Sequence, residues 1–313
     1  MRIAVIGAGA VGGYFGGRLA EAGEEVVFIA RGGHLRALRD SGLRVDSIAG
    51  DFAVRPAQAS DDPSKVGPVD AVLVGVKAWQ VPEAAEVMRP LIGPKTLVVP
   101  LQNGVEASAQ LAAVLGAEHV LGGLCRIISY IVTPGHIRHA GIDPYVAFGE
   151  LNGQHSERAT PLRDAFSRAK GVTAEIPADI RAAIWRKFLL IAPWGGLGAV
   201  TRAPIGVIRS RPETRHMLEQ ALQEIRAVAA AHQVLLPERA VADTLAFIDS
   251  LPTEGTASMQ RDIIEGRPSE LTSLNGAVAR LAQESGVAVP LHSFIFHSLL
   301  PLELRARGEL RFT

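Results

Sequence analysis

Gly7, Gly9 and Gly12 stand directly behind an apolar run at residues 3–6, and no other feature of this 313-residue chain restricts its fold as sharply. A G-x-G-x-x-G that leaves a strand and opens a helix is the fingerprint of a dinucleotide-binding turn. The first glycine permits the tight turn. The second lets backbone approach a pyrophosphate, and the third lets the helix pack on the strand. The free N–H groups and positive dipole end of the helix are then offered to the phosphates. Residues 1–6 read as the strand and 11–22 as the helix, with Gly23 as its stop. Gly7, Gly9, Ala10, Val11 and Gly12 are therefore the candidate coenzyme contacts. The plainer alternative is a strand–helix turn with no ligand.

The end of the next strand-like run, residues 25–29, separates the two common dinucleotides. An acid there would bind the ribose 2′-hydroxyl of NAD. No acid occurs between Val26 and Leu38; Arg31 stands at that point, with His34 and Arg36 nearby. A guanidinium suits a 2′-phosphate through charge and paired hydrogen bonds. The expected coenzyme is NADP (as NADPH) rather than NAD, unless Arg31 is merely a solvated loop cation.

Bulk properties exclude several classes. Lys plus Arg equals Asp plus Glu at 32 each, so no basic surplus speaks for nucleic acid. Cys125 is the single cysteine, which rules out an intrachain disulfide and suits a reducing compartment. The chain enters a strand at once, leaving no room for a cleavable signal peptide. Its longest apolar stretch, residues 188–200, is broken by Pro193, Gly195, Gly196 and Gly198 and is too short for a membrane span. The expectation is a soluble cytoplasmic protein with no nucleic-acid or membrane partner.

Short apolar runs at 70–74, 96–100, 120–124, 127–132, 137–139 and 145–149 read as strands. Helical patterns at 81–91 and 107–115 fall between them, which argues for a parallel sheet covered on both faces. Beyond about Pro177 long helical periods take over, at 179–191, 213–232, 237–250, 269–285 with Gly286 as C-cap, and 292–307. The expected division is residues 1–178, an α/β domain, and residues 179–313, an all-helical domain.

Lys77 and Gln80 follow the 70–75 strand, and Asn103 follows the 96–100 strand, where doubly wound folds bind ligands. Each could instead be an ordinary loop or cap residue. Lys187 lies among large apolar residues. It either snorkels to solvent or faces a cleft as a proton donor to a forming alkoxide. Ser258 and Glu270 flank a loop with Gly266 and Pro268. Glu270, with Ser269 as N-cap, reads most plainly as an acid at a helix N-terminus.

The order of these pieces resembles the ketopantoate reductase (2-dehydropantoate 2-reductase) family over nearly the whole chain. The matching pieces are the glycine fingerprint, Arg31, Val76-Lys77-Ala78-Trp79-Gln80, Gln102-Asn103-Gly104, Trp185-Arg186-Lys187, Ser258-Met259-Gln260, Asp262, and Glu270 with Asn275-Gly276. The resemblance implies an N-terminal Rossmann-type domain, a helical C-terminal domain, and reduction of a 2-oxo acid by NADPH in the cleft between them, a step of pantothenate biosynthesis. By position, Lys187 matches the family's general acid and Glu270 the acid that hydrogen-bonds the substrate hydroxyl. Ser258 matches a carboxylate-binding hydroxyl. Asn103 matches an amide near nicotinamide and substrate, and Lys77 a cation on the coenzyme side.

The chain departs from the family where the catalytic helix places asparagines four and eight residues beyond its lysine. Those positions hold Ile191 and Gly195, and Pro193 with Gly195-Gly196 argues against a regular helix there. A substrate-binding surface without those amides favours a 2-oxo acid with a less polar tail. Two other readings stay open: a non-catalytic NADP-binding regulator, and a β-hydroxyacid dehydrogenase. The nine histidines form no promising metal site. His136 and His139 would point to opposite faces of a strand, and His292 and His297 miss a common helix face. The apolar face of 213–232 reads as core, or in part as the contact of a homodimer.

Overall fold

Alternate side chains of the first strand enter two different apolar clusters, so both faces of its sheet are covered. In a computed structural model describing residues 1–154 and 156–312, β1 (Arg2–Ile6) sends Ile3 and Val5 into one cluster and Ala4 and Ile6 into the other. It pairs in parallel with β2 (Glu25–Ile29) and β6 (Ala71–Val74). With β5 (Gln58–Ser60) and β7 (Leu97–Pro100) the order is β5-β2-β1-β6-β7, every pairing parallel. α1 (Ala10–Glu21), α2 (Gly32–Ser41), α3 (Val81–Val87) and α4 (Ala107–Leu115) supply the helices of this Rossmann-type arrangement. The helical pattern expected to run to residue 91 stops at Val87. Pro90 has no N–H to extend the ladder, and a 3-10 turn, Arg89–Leu91, replaces it.

A second, mixed sheet was not legible as such. The four short runs between 120 and 149 are two long strands, β8 (Gly122–Thr133) and β9 (His136–Gly149), paired antiparallel across Pro134-Gly135. Register shifts between Arg126 and Ile128 and between Ile131 and Thr133 interrupt the period-two signal, so one strand reads as two. β3 (Leu43–Ser47), β4 (Phe52–Val54) and β10 (Thr173–Glu175) complete the order β10-β9-β3-β4, and α5 (Thr160–Arg168) precedes β10.

The chain forms two compact units: Met1–Gln102 with Ala107–Arg181, and Asn103–Glu106 with Ala182–Thr313. The second is built from α6 (Ile180–Thr201, from Ala182 on), α7 (Ile205–Ser210), α8 (Pro212–Ala231), α9 (Ala240–Ser250), α10 (Ser258–Ile264), α11 (Asn275–Ser285) and α12 (Pro290–Ala306). Leu218, Ala221, Leu222, Ile225, Val228 and Ala229 of α8 are buried in its core. Among them Glu224, also buried, accepts the backbone N–H groups of Leu291 and His292 at 3.0 Å each and so caps α12. Among the described residues no helix is long and apolar enough to cross a membrane.

Two helical expectations are corrected. α6 is continuous through Pro193, Gly195 and Gly196. The glycines are slots for neighbouring helices. A Cβ on Gly196 would lie 2.6 Å from Asn275 Nδ2, and one on Gly198 would lie 2.4 Å from Gln260 Oε1. Tertiary packing outweighs propensity penalties of ~1 kcal/mol per glycine and ~3 kcal/mol for proline. The helix expected from residue 269 starts instead at Asn275, so Glu270 is not in its first turn. Ser269 does not cap it, because α11 starts six residues later with Leu274 at its N-cap; the Ser269 hydroxyl donates instead to Glu303 at 2.5 Å. Gly286, at φ 70°, ends α11 as expected.

Candidate active site

The glycine turn is built by mutual backbone contact. Gly7 adopts φ +84°, a left-handed conformation that a side chain resists, and its N–H donates to Ile29 O at 3.2 Å. A Cβ on Gly12 would stand 2.3 Å from Gly7 O, so α1 can approach β1 only with glycine there. A Cβ on Gly9 would meet nothing within 4 Å, so the space before the helix is open. Gly9 is the N-cap, no side chain caps α1, and no acid sits in its first turn. The amides of Ala10 and Val11 thus lie at a helix end free of side-chain capping. An open glycine-lined cradle of this kind fits the pyrophosphate of a dinucleotide.

Arg31, Lys77 and Gln80 follow the carboxyl ends of β2 and β6 in the same sheet. The Arg31 guanidinium is exposed and donates to Glu83 Oε1 at 3.1 Å. Lys77 Nζ lies 5.8 Å from the centre of the Trp79 ring. Gln80 takes a local role: its Oε1 accepts the Lys77 N–H at 3.2 Å. Gln102 was quoted only as part of a motif, yet its Nε2 donates to Val74 O and Val76 O at 2.8 and 2.9 Å and ties the ends of two strands together.

Asn103 was expected with residues 1–178, but it packs with the helical unit. Its Nδ2 donates to Glu270 Oε2 at 2.8 Å, joining two residues 167 positions apart. Glu270 is buried, and its carbonyl accepts from Ser273 and Leu274. The adjoining turns meet closely, since a Cβ on Gly104 would lie 2.7 Å from Ser273 O.

Because α6 is continuous, Lys187, Ile191 and Gly195 fall on one stripe at successive turns. Lys187 and Ile191 are half-buried. A Cβ on Gly195 would sit 3.1 Å from Met259 Cε and 3.7 Å from Ala257 Cβ. The lower end of the stripe therefore meets the start of α10, where the exposed Ser258 is the first residue. The stripe thus carries a cation at Lys187 and apolar or bare positions at Ile191 and Gly195, and its Gly195 end meets the helix that begins with Ser258.

His136, His139 and His292 are held in structural contacts. His136 Nε2 pairs with Asp46 at 2.8 Å, while His139, on the other face of β9, is buried against Ser47 Oγ and Ile142 O. His292 is fully buried between Asn275 Nδ2 and Ala221 O, and desolvation lowers it to about 4. His297 is exposed. His155 lies outside the described residues.

The family model described as Ketopantoate reductase PanE/ApbA matches residues 3–153, and its C-terminal counterpart matches residues 179–303. The chain belongs to the ketopantoate reductase family. It is 32% identical over 96% of its length, and 98% of the relative's, to the uncharacterized oxidoreductase YkpB of Bacillus subtilis. It is 30% identical to a 2-dehydropantoate 2-reductase of Nostoc, with 99% of this chain and 98% of that one covered. A crystal structure of a PanE/ApbA family ketopantoate reductase from Ralstonia eutropha superposes with a TM-score of 0.88 at 32% identity, covering 98% of this chain and 100% of the other. This member of the ketopantoate reductase family is thus an oxidoreductase acting on a CH–OH group, and its substrate class is a small 2-oxo acid.

Proposed function

We propose that the chain is an NADPH-dependent reductase of a 2-oxo acid, either ketopantoate or a related acid with a less polar tail, and that the second fits better. Residues 1–178 serve as the NADP-binding domain and residues 179–313 as the substrate and catalytic domain. Gly7, Gly9, Ala10, Val11 and Gly12 hold the pyrophosphate, Arg31 the 2′-phosphate, and Lys77, Gln80 and Asn103 flank the coenzyme. When bound, the reduced nicotinamide supplies the hydride.

The rest is done by side chains of the protein. Lys187 carries the positive charge that stabilises a negative carbonyl oxygen, and its Nζ gives that oxygen a proton, leaving a hydroxyl. Glu270, fixed by Asn103 at 2.8 Å, accepts the hydrogen bond of that hydroxyl. The Ser258 hydroxyl donates to the substrate carboxylate, and Asn103 offers an amide to nicotinamide and substrate.

The preference for an apolar tail rests on one observation. The regular helix α6 puts Ile191 and Gly195 one and two turns beyond Lys187, with Gly195 against Met259. Neither Ile191 nor Gly195 has a side-chain group that can pair a tail hydroxyl. A panel of 2-oxo acids assayed with NADPH tests this. Branched or aromatic acids are expected to show higher kcat/KM than ketopantoate; ketopantoate outpacing every apolar analogue would overturn the tail assignment and leave the reductase assignment standing.

A further inference from the structure

Among the buried acids of the helical unit, Glu303 is placed where the reaction proposed above can feel it. It lies near the end of α12, 1% exposed, in a unit where every buried charge needs partners. Its oxygens accept the Ser269 N–H at 3.1 and 3.0 Å and the Ser269 hydroxyl at 2.5 Å. Arg307, one turn further along, donates to it from Nε at 2.7 Å and from Nη2 at 2.6 Å. Arg307 Nη2 also donates to Ser269 O at 3.1 Å. Two charged side chains at the end of α12, one in its last turn and one at its C-cap, thus hold the N–H, the hydroxyl and the carbonyl of one fully buried serine.

The next residue is Glu270. Its backbone continues directly from that clamp, and its carboxylate accepts Asn103 Nδ2. The Ser269 hydroxyl further accepts the Leu271 N–H at 3.2 Å, so the turn is pinned on both sides of Glu270. α12 is a fixed frame for this purpose, because Glu224 caps its other end. The fold offers no helix N-terminus to orient Glu270, since α11 begins five residues later. The orientation must come from side chains packed on the turn: Glu303 and Arg307, at the end of α12, grip Ser269 just ahead of Glu270, while Arg280 of α11 donates to Thr272 O at 3.0 Å on its far side.

We propose that Glu303, acting through Ser269, is a positioning residue that sets the Glu270 carboxylate for its hydrogen bond to the substrate hydroxyl. Glu303 touches no reacting atom. The proposal rests on the assignment of Glu270 given above. Replacing one carboxylate oxygen by an amide sets an NH2 group against a donor and loosens the turn. A displacement of about 1 Å at a reacting geometry can lower turnover about 100-fold.

The test is a double-mutant cycle on the full-length enzyme, with steady-state kinetics for its best 2-oxo acid. Glu303→Gln is expected to lower kcat/KM about 10- to 100-fold and Glu303→Asp to restore part of it. In a Glu270→Gln background, Glu303→Gln is expected to cost less than about threefold more, because the group it positions is gone. Ser269→Ala keeps the backbone grip and loses only the hydroxyl link; it covers the case in which Glu303→Gln does not fold. Hydrogen exchange should rise at 269–274 in both variants. Additive losses in the cycle, or a lowered Tm with kcat/KM unchanged, overturn the positioning role and leave Glu270 in place. A Glu270→Gln enzyme with wild-type kinetics overturns the role of Glu270 itself and the positioning role with it.

Discussion

Arg31 offers a quantitative test of coenzyme choice. Among the described residues its guanidinium is held only by Glu83, at 3.1 Å, with the two side chains 68% and 64% exposed. An exposed pair of this kind contributes ~0.2–1 kcal/mol. Turning Arg31 toward a 2′-phosphate therefore costs no more than that. A hydrogen bond to a charged group returns ~1.5–3 kcal/mol. The difference, roughly 0.5–2.8 kcal/mol, corresponds to about 2- to 100-fold in Kd at 1.4 kcal/mol per decade. Arg31→Ala should weaken NADPH binding by that factor and leave NADH, which lacks the phosphate, within about twofold. Glu83→Gln removes the competing carboxylate and should tighten NADPH by about 1.5- to 5-fold. Titration of coenzyme fluorescence with both nucleotides reads all four values, and raising the salt should shrink the NADPH effect. Equal losses for NADH and NADPH in Arg31→Ala, or weaker NADPH binding in Glu83→Gln, would refute the assignment of Arg31 to the 2′-phosphate.

Removing the ammonium in Lys187→Ala should lower kcat about 10²- to 10⁴-fold while coenzyme Kd holds, measured by steady-state turnover alongside nucleotide titration. Ile191→Asn restores an amide one turn beyond Lys187 and should shift the kcat/KM ratio of ketopantoate to apolar acids upward by about 10- to 100-fold; an unchanged ratio would count against the tail-binding stripe. Gly12→Ala forces a Cβ to 2.3 Å from Gly7 O, so it should destabilise the fold by about 1–3 kcal/mol and weaken coenzyme binding, read by thermal melting and titration. Stability should also fall on mild acidification. His292 is lowered to about 4 by burial, whereas an unfolded histidine titrates near ~6.5, so between those values only the unfolded chain takes up the proton. This contribution is complete above pH ~6.5 and is lost as pH falls toward 4, by about 3 kcal/mol in all. His34, also lowered by burial, adds to the same trend, while Asp46, held at about 2 chiefly by His136, acts only below pH ~4. A Tm that stays level from pH 7 to 4.5 would contradict the buried neutral state of His292.

What could be read from the chain was chemistry confined to a few consecutive residues. The turn was legible because backbone sterics alone demand glycine at Gly7 and Gly12 between β1 and α1, with Gly9 leaving open space before the helix. The stripe Lys187, Ile191 and Gly195 followed from helical spacing, although its regularity did not. Pro193 and its neighbouring glycines spell a broken helix locally, and only Asn275, Gln260 and Ile295, some 60 to 100 residues away, explain why the helix persists. The same limit hid the acids that organise the helical unit. Glu224 and Glu303 have the spacing of ordinary helix-surface carboxylates, yet each is buried and grips backbone amides 67 and 34 positions distant. Glu270 shows the consequence most directly. By its sequence context it belongs to the first turn of a helix, where a dipole would orient it. In the fold it stands ahead of that helix, its carboxylate accepting Asn103 Nδ2 and its backbone following the Ser269 held by Glu303, partners that no local pattern connects to it.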